Sequence, residues 1–331
     1  MGPIRILFNH QCFYHLLILL PELLIYPAML LKRVFAATCM IALLTACLWL
    51  DVDYFHDSLM LHALFLIGVF FSFREFWPLC RATGHQTFSI WGTFCGCALV
   101  LVNYWTLHLA TPGTVEALKQ ASNLFKGALA VSILGTFVLT AKRSQFSASL
   151  GGVAVTCLGL FYIYFLPSFV LSLRHLNPHT GLIGGPVEDW NVFGHKMVVA
   201  TIVLAKGCDV WAYLAGRMLG KHKAFPRLSP GKTVEGVVAG LAGSVLASIF
   251  LWWDQVGVLP HNIFSLKLAC LLGFCIGLAG MMGDLAESLL KRSAGAKDAG
   301  TIVPGYGGAM DVVDSLMVAG PVAYFLISAI I

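Results

Sequence analysis

Charged residues are scarce in this chain: they make up 11% of its 331 residues, whereas hydrophobic residues make up 58%. Ordinary soluble domains are about 25% charged, so the composition excludes a soluble globular protein. The ten cysteines and eleven histidines contain no CxxC pair and no HExxH spacing, which excludes the usual zinc and dithiol motifs. No internal repeat is present, and no basic array with interleaved aromatics accompanies the net charge of +5, so no nucleic-acid partner is indicated.

Long apolar runs are present instead, each of a length that can cross a bilayer. The runs are continuous rather than alternating, which favours helices that satisfy their own backbone hydrogen bonds in lipid. We therefore predict an all-α polytopic integral membrane protein with about ten transmembrane helices. The predicted spans are 12–31, 34–50, 59–72, 89–107, 124–140, 150–173, 197–214, 237–252, 266–283 and 311–331. Pro21 and Glu22 interrupt the first run, which could instead be a re-entrant or interfacial helix.

Lysine and arginine are distributed unequally between the two sets of loops that alternate along the predicted spans. Most of the 21 basic residues fall in one set, at 32–33, 74–81, 142–143, 215–236 and 291–297. The loop 51–58, which belongs to the other set, contains aspartates and no base. Cytoplasmic loops carry the excess of lysine and arginine. We therefore predict that the first set, which includes both polar segments described next, faces the cytoplasm.

The most informative segment is the polar stretch between the last two predicted spans. Asp284, Ser288 and Lys291 recur at i, i+4 and i+7, so they share one face if the stretch is helical. Asp311 and Asp314 lie three residues apart at the start of the last span. Carboxylates can bind a cation and lysine can bind phosphate, so the segment predicts a catalytic or binding site.

Between these two groups lies a further acid–base pair, Lys297 and Asp298, followed by a glycine-rich turn at 304–308 that no helix could cross. Gly307 and Gly308 lack a Cβ atom, so they would let the backbone approach a ligand closely. Because acids, bases and glycines occur together, a catalytic site is the first hypothesis for this part of the chain.

The loop 215–236 is the second polar segment. Its cationic and hydroxyl-bearing side chains include Lys221, His222, Lys223, Arg227, Lys232 and Thr233. The tripeptide Gly231-Lys232-Thr233 is similar to the end of a phosphate-binding P-loop, but Pro226 stands where the first glycine should be. A Walker fold is therefore not expected. The loop still predicts a phosphate-binding surface, and the alternative is a polybasic anchor for anionic lipid headgroups.

Asp209 lies inside the predicted span 197–214. An acid within a span costs about 2.5 kcal/mol or more and is by default a functional residue. The alternative is a structural ion pair with Lys206, three residues earlier on the same helix face. We favour a functional role, because the basic loop begins about one helical turn later.

The two polar segments resemble the signature of the phosphatidate cytidylyltransferase (CDP-diacylglycerol synthase) family. The family's pattern is S-x-x-K-R, four residues, K-D, a P-G-H-G-G turn and D-R-x-D-S. The matching residues, in order and spacing, are Ser288, Lys291, Arg292, Lys297, Asp298, Pro304, Gly305, Gly307, Gly308, Asp311, Asp314 and Ser315. The loop 215–236 is similar to the family's G-K-H-K…P-x-x-S-P-x-K-T-x-E-G stretch. The resemblance covers residues 197–331, and before Met197 only the hydropathy agrees.

The resemblance implies an enzyme that joins phosphatidic acid to CTP, giving CDP-diacylglycerol and pyrophosphate, with Mg²⁺ as cofactor. Asp284 and Asp311 are the implied metal ligands, and we add Asp209 and Asp314 to this set. The implied catalytic residues are Ser288, Lys291, Lys297 and Asp298. The expected substrate-binding residues are Lys221, Arg227, Ser229, Lys232, Thr233, Arg292, Gly307 and Gly308. Whether a monovalent cation shares the site is left open.

The chain also departs from the family pattern at three positions. Tyr306 replaces the turn histidine, Val312 replaces the arginine after the metal-site aspartate, and Val210 stands where relatives usually carry serine or threonine. A divergent CTP-dependent transferase acting on another lipid is therefore an alternative function. A second alternative is a membrane transporter with an intramembrane cation site, although such transporters commonly consist of repeated halves.

The informative residues cluster in one part of the chain. We therefore predict a membrane-helical amino-terminal part, 1–190, and a catalytic membrane domain, 191–331, that carries both signature loops. The expected location is a bacterial inner membrane, with the site facing the cytoplasm. The resemblance also implies a homodimer, for which the sequence shows no interface motif.

Overall fold

The computed structural model describes residues 38–51, 58–110, 115–142, 149–176, 190–303 and 307–331. The helices are α1 (Thr38–Leu50), α2 (Leu59–Ala82), α3 (Ser89–Ala110), α4 (Val115–Ala141), α5 (Ser149–Gly159), α6 (Leu166–Arg174), α7 (Trp190–Leu219), α8 (Val234–Trp252), α9 (Leu266–Ser293) and α10 (Ala309–Ile330). A π-helical segment (Leu160–Phe165) joins α5 to α6. Two short strands, β1 (Lys223–Phe225) and β2 (Ser229–Thr233), form a hairpin between α7 and α8.

In the described ranges, eight helical stretches are long and apolar enough to cross a membrane, and they coincide with eight of the ten predicted spans. Helices α5 and α6 and the π-helical segment together form one of them, Leu150–Arg174. The second predicted span, 34–50, corresponds to the shorter apolar helix α1, and the first, 12–31, lies outside the described residues. The predicted class, an all-α polytopic membrane protein, is confirmed.

Two helices continue well beyond the ends that hydropathy predicts. Both predicted spans ended near the first charged residue, but α2 continues to Ala82 and α9 continues to Ser293. Charged side chains are tolerated in membrane helices where they face the protein interior and are paired. Glu75 of α2 and Glu287 of α9 are both buried in this way. The longer helices therefore carry acids into the interior of the bundle.

Helices α7, α8 and α9 pack closely through small residues. The Ser244 hydroxyl of α8 lies within hydrogen-bonding distance of carbonyl oxygens on both neighbours, Leu204 of α7 (3.1 Å) and Gly273 of α9 (2.7 Å). Ser248, also of α8, donates to the carbonyl of Ala269 in α9 (2.7 Å). Small residues allow helix backbones to approach, and serine hydroxyls then bond across the interface. This packing fixes α7 and α9, which both contribute to the site described below.

The amino-terminal helices form a different, aromatic core. Phe73 and Trp77 of α2 are buried there, as is Tyr164 of the π-helical segment, whose hydroxyl donates to the carbonyl of Leu99 (2.9 Å). Met310, in the first turn of α10, belongs to the same cluster. Helix α10 therefore packs against α2 and α6 as well as against α9.

The hairpin gives the second polar loop a defined shape. Its strands pair antiparallel, with Lys223 opposite Thr233 and Phe225 opposite Ser229. The buried Thr233 hydroxyl is the N-cap of α8, since it accepts a hydrogen bond from the backbone N–H of Gly236 (3.1 Å). Because successive spanning helices alternate in direction, the hairpin lies at the same end of the bundle as the α2–α3 and α9–α10 connections. We call this end the site end.

Candidate active site

The site forms where the backbones of α9 and α10 approach each other closely. Gly283 of α9 faces the backbone of α10: a Cβ atom at this position would lie 2.3 Å from the carbonyl oxygen of Asp314. Any larger residue would force the two backbones apart, so this approach requires glycine. The result is that Asp284, the next residue of α9, lies beside Asp314 of α10.

Asp284, Glu287 and Asp314 form what we call the carboxylate cluster. One oxygen of each side chain lies within 4.8 Å of the others. Glu287 is completely buried, Asp314 is 7% exposed and Asp284 is half-buried. Glu287 follows Asp284 by three residues, so both project from the same face of α9. Three acids at this spacing can offer oxygen ligands to a single cation.

Each acid of the cluster is in contact with one lysine, and the three lysines come from three different elements: α7, β2 and α9. Lys206 of α7 contacts Asp314, with 2.9 Å between Nζ and Oδ1. Lys232 of β2 contacts Asp284, with 2.7 Å between Nζ and Oδ2. The third contact, between Lys291 Nζ and Glu287 Oε2 at 2.9 Å, lies within α9. The cluster is therefore surrounded by cationic groups, which are suited to binding phosphate.

Asp311 lies just outside the cluster and is coupled to it through Lys291. Lys291 Nζ is 2.5 Å from Asp311 Oδ1. The other oxygen of Asp311 accepts hydrogen bonds from the backbone N–H groups of Gly308 (2.7 Å) and Ala299 (3.3 Å). Asp311 therefore caps the start of α10 and orients Lys291, rather than contributing to the group of three acids.

Asp209 of α7 is half-buried near the same charges. It interacts electrostatically with Lys206, Asp314, Asp284 and Lys232. The structure pairs Lys206 with Asp314 across two helices, which differs from the pair within α7 that the sequence offered as the structural alternative. Asp209 thus adds negative charge to the site without belonging to the cluster itself.

The charges in and around the cluster do not balance. The site contains three lysines and five carboxylates that interact through ion pairs or at longer electrostatic range. The lysines are Lys206, Lys232 and Lys291, and the acids are Asp209, Asp284, Glu287, Asp311 and Asp314. In their ionised forms these groups leave an excess of two negative charges. The Oε1 atom of Glu287 is also buried and has no hydrogen-bond partner within the part of the chain that the structure describes. A buried oxygen of this kind is costly unless a ligand satisfies it, so the residues fit a divalent cation with oxygen ligands.

Two contacts hold the hairpin against the end of α9 and so join the two polar segments. The first is the ion pair between Lys232 and Asp284 described above. The second is a hydrogen bond from Arg292 Nε to the carbonyl oxygen of Leu228, at 3.4 Å. A second nitrogen of Arg292 donates to the carbonyl of Ala296 (3.2 Å). Segments about sixty residues apart in the sequence therefore form one site.

Four of the residues predicted from the sequence lie on the solvent side of the site. Lys221 and Arg227 of the hairpin are exposed, and so are Lys297 and Asp298 of the α9–α10 connection. Their side chains are accessible at the surface of the site end. The structure does not bring them into the cluster.

The remaining predicted residues have local structural contacts. Ser288 is buried on α9, Ser229 begins β2 and Thr233 caps α8. Gly307 has a positive φ of 107° and forms a backbone bridge with Val303 on the far side of the turn. Gly308 donates its backbone N–H to Asp311. Three turn residues of the signature, Pro304, Gly305 and Tyr306, lie outside the described residues.

Sequence reasoning missed two buried acids, Glu287 and Glu75. Glu287 lies three residues after Asp284 and four before Lys291, so helical spacing places it on the face already recognised. Glu75 is an acid within an apolar helix, and the argument applied to Asp209 would have selected it. It escaped because the predicted span ended at residue 72. Both could therefore have been found from the sequence.

The described residues form a multi-pass helical bundle of the membrane-protein class, with a lysine-paired carboxylate cluster and a basic hairpin at one end. The chain belongs to the cytidylyltransferase family, because the model of that family matches residues 31–330. The family resemblance inferred from the two signature segments is thereby confirmed.

Several known proteins are similar to this chain. A phosphatidate cytidylyltransferase of Synechocystis sp. is 36% identical over 54% of this chain and 64% of its own length. A protein of Escherichia coli named "uncharacterized protein YnbB" is 30% identical over 70% of this chain and 73% of its own length. Phosphatidate cytidylyltransferase 4, chloroplastic, of Arabidopsis thaliana is 37% identical over 52% of this chain and 45% of its own length. The chain thus spans less than two thirds of two of these three relatives.

Proposed function

We propose that this protein is a phosphatidate cytidylyltransferase, which transfers CMP from CTP to phosphatidic acid. An oxygen of the phosphatidate phosphate attacks the α-phosphorus of CTP, the bond from that phosphorus to the oxygen bridging it to the β-phosphorus breaks, and pyrophosphate leaves. The products are CDP-diacylglycerol and pyrophosphate. The observation that supports this reaction best is the cluster of Asp284, Glu287 and Asp314 inside a ring of three lysines.

The reaction brings two anionic substrates together, so the site must offset their repulsion. Mg²⁺ is the proposed cofactor, and Asp284, Glu287 and Asp314 are the residues that would hold it, with Asp209 and Asp311 nearby. When bound, the cation supplies positive charge that stabilises the phosphoryl group during transfer. The sequence leaves open whether a monovalent cation shares the site.

The lysines and arginines of the site would orient the phosphates. Lys232 lies on the hairpin and Lys291 on α9, so they approach the cluster from two directions. We assign Lys232, Lys291 and Arg292 to the phosphates that react, and the exposed Lys221 and Arg227 to the incoming triphosphate. Cationic side chains at fixed positions lower the cost of bringing the anions into contact.

The position of the site suits one soluble substrate and one lipid substrate. The carboxylate cluster lies on membrane-spanning helices, whereas the hairpin and the α9–α10 connection are exposed. CTP would enter from the solvent side, which we place in the cytoplasm because of the excess of lysine and arginine there. Phosphatidic acid would enter laterally from the bilayer, which we propose is a bacterial inner membrane. A homodimer and the division at residue 190 both stay predictions.

The function is tested by assaying the purified protein with labelled CTP and phosphatidic acid, with and without Mg²⁺. We expect CDP-diacylglycerol and pyrophosphate to form in equal amounts and only when Mg²⁺ is present. Asp284→Asn should lower the rate on the order of 10²- to 10³-fold, because several kcal/mol of transition-state stabilisation depends on the cation. Asp254→Asn is the matched control, since this aspartate is 81% exposed near His261, outside the site.

Two outcomes would contradict the proposal. If wild-type protein releases no pyrophosphate with any lipid acceptor, the transferase assignment fails. If pyrophosphate forms with another lipid but not with phosphatidic acid, the enzyme is a CTP-dependent transferase with a different acceptor. The second outcome is the one that the departures at Tyr306 and Val312 from the family pattern would explain, and Val312→Arg should then alter acceptor preference.

A further inference from the structure

Glu75 joins an amino-terminal helix to the beginning of α10. It lies in the C-terminal half of α2 and is 5% exposed. Its two carboxylate oxygens accept hydrogen bonds from consecutive backbone N–H groups: Oε1 from Ala309 and Oε2 from Met310, both at 2.9 Å. Glu75 is therefore the acceptor for the first two free N–H groups of α10.

The loop before α10 is shaped around this carboxylate. A Cβ atom on Gly308 would lie 2.3 Å from Glu75 Oε2, and one on Gly300 would lie 2.4 Å from Oε1. The Glu75 carboxylate therefore packs against two glycines of the α9–α10 connection, one at each carboxylate oxygen. A bulkier residue at either position would displace the carboxylate or the loop.

Glu75 bonds the first helical turn of α10, and the site acids of this helix lie in or next to that turn. Asp311 is the third residue of this helix, and its carboxylate bonds Gly308 and contacts Lys291. Asp314 follows by three residues and belongs to the carboxylate cluster. A shift of the first turn would therefore move both acids relative to α9. An acid within a membrane helix is expensive, which argues against an incidental contact.

We propose that Glu75 is a positioning residue for the active site. It acts through the backbone of α10: it fixes the first turn, and thereby sets the position of Asp311 and Asp314 relative to Asp284 and Glu287. This inference rests on the proposed function, because the geometry it protects is that of the cation site. It also assigns a role in the site to α2, which the sequence had indicated only as a membrane-packing element.

The chain contains a matched control for the test. Asp51 is a completely buried carboxylate that bonds two consecutive backbone N–H groups, those of Met60 (2.7 Å) and Leu61 (2.9 Å), at the other end of α2. The start of α2 and Glu75 are about 24 Å apart along the helix axis, at 1.5 Å per residue. Both acids make the same kind of hydrogen bonds, but only one of them touches the site.

The experiment compares Glu75→Gln with Asp51→Asn in the full-length protein. Each change preserves shape but replaces one accepting oxygen by an NH₂ group that faces an N–H donor. Three quantities are measured: the melting temperature, the Mg²⁺ concentration for half-maximal transfer, and the rise in melting temperature caused by Mg²⁺ without nucleotide. We expect both variants to melt at lower temperature. Only Glu75→Gln should raise the half-maximal Mg²⁺ concentration, by about 10-fold or more, as for other groups that orient metal ligands.

A second variant keeps the test decisive if Glu75→Gln does not fold. Gly300→Ala pushes a methyl group against the Glu75 carboxylate and should raise the Mg²⁺ requirement in the same direction. Gly127→Ala is its control, because a Cβ atom at Gly127 of α4 meets nothing within 4 Å. The control should leave the Mg²⁺ requirement unchanged.

The result that overturns the inference is a loss of melting temperature without any change in the Mg²⁺ requirement, as expected for Asp51→Asn. Glu75 would then be a helix cap only. The Mg²⁺-induced rise in melting temperature separates this failure from failure of the proposed function, because it does not depend on cytidylyl transfer. A wild-type protein that shows neither transfer nor a response to Mg²⁺ refutes the cation site and, with it, this role of Glu75.

Discussion

The two ends of the helical bundle both contain buried polar residues, but these residues are arranged differently. At the end opposite the site, the His62 ring bonds the carbonyl of Ser58 through Nδ1 (2.8 Å) and the Asn103 side chain through Nε2 (3.2 Å). The Ser58 hydroxyl in turn contacts His175 Nε2 (3.0 Å). Serine, asparagine and histidine make up this network, and both ring nitrogens of His62 have a partner. The same end also holds the buried carboxylate of Asp51, whose two oxygens accept from the backbone N–H groups of Met60 and Leu61.

At the site end, the buried polar groups are ionised types and are left with acceptors to spare. Lysines contact each acid of the carboxylate cluster, yet Glu287 Oε1 has no partner among the described residues. A network that satisfies itself stabilises a fold. A network with an unpartnered buried oxygen and, in its ionised form, an excess of negative charge would be stabilised by a bound cation. Buried polarity alone therefore does not single out a site in this protein. The carboxylate cluster differs in combining an excess of acids over lysines with a carboxylate oxygen that has no partner among the described residues.

Asp314→Asn is the variant expected to have the largest effect, and it tests whether the carboxylate cluster differs in role from the network at the other end. This change removes one acid of the cluster and leaves Lys206 without its carboxylate. We expect the transfer rate to fall on the order of 10³-fold at saturating substrates, since the cation's contribution of several kcal/mol to the transition state is lost. The rate is measured as CDP-diacylglycerol formed per folded protein. A rate within a few-fold of wild type would show that the cluster is structural, like the network at the other end; Asp254→Asn controls for loss of a surface acid.

Glu287→Gln examines the unsatisfied oxygen itself. In the absence of Mg²⁺ the variant should melt at the same temperature as wild type or higher, because it removes a buried charge that lacks a full set of partners. Adding Mg²⁺ should raise the melting temperature of wild type, as expected for a ligand that binds only the folded state, but not that of the variant. The transfer rate should fall on the order of 10²-fold, because one of the three acids that would hold the cation loses its charge. An undiminished response to Mg²⁺ would contradict the assignment of Glu287.

His62→Gln is expected to have the smallest effect on activity. It breaks the satisfied network at the opposite end, and leaving a buried partner unpaired should cost about 1–3 kcal/mol of stability. The transfer rate per folded protein should stay within about two-fold of wild type, because a change of that size is below 0.5 kcal/mol in activation free energy. Thermal melting and a rate assay on the same sample separate the two effects. A rate that fell as far as in Glu287→Gln would mean that the two ends are coupled.

Much of the site could be predicted from the sequence, because helical spacing is a local property. The shared face of Asp284, Ser288 and Lys291 required only that α9 continue past the apolar run, which it does as far as Ser293. The contacts of Lys206 and Lys232 could not be predicted, since they join α7 and β2 to α10 and α9. Spacing within one helix carries no information about which lysine of another element will reach an acid.

The fold could be predicted to a similar extent. Where the prediction of the helix ends was wrong, the reason is related. Hydropathy located eight spans that the structure contains, but it underestimated α2 and α9 by about three helical turns each. A window that averages hydropathy ends where charge begins, whereas a helix ends where its backbone bonding ends. Glu75 and Glu287 fall in the difference, so hydropathy placed outside the spans two acids that the structure buries at the site end.

The contact between Glu75 and α10 also limits how the protein can be divided. Helix α10 packs on α2 and α6 in addition to α9, and its first two N–H groups are bonded by an acid more than 230 residues earlier in the chain. A fragment containing only residues 191–331 would hold every residue of the carboxylate cluster, but it would expose one side of α10 and leave those N–H groups without acceptors. We therefore expect that the two parts predicted on either side of residue 190 are not modules that could be exchanged between proteins. A mixture of the two fragments, 1–190 and 191–331, should regain the site, whereas neither fragment alone should.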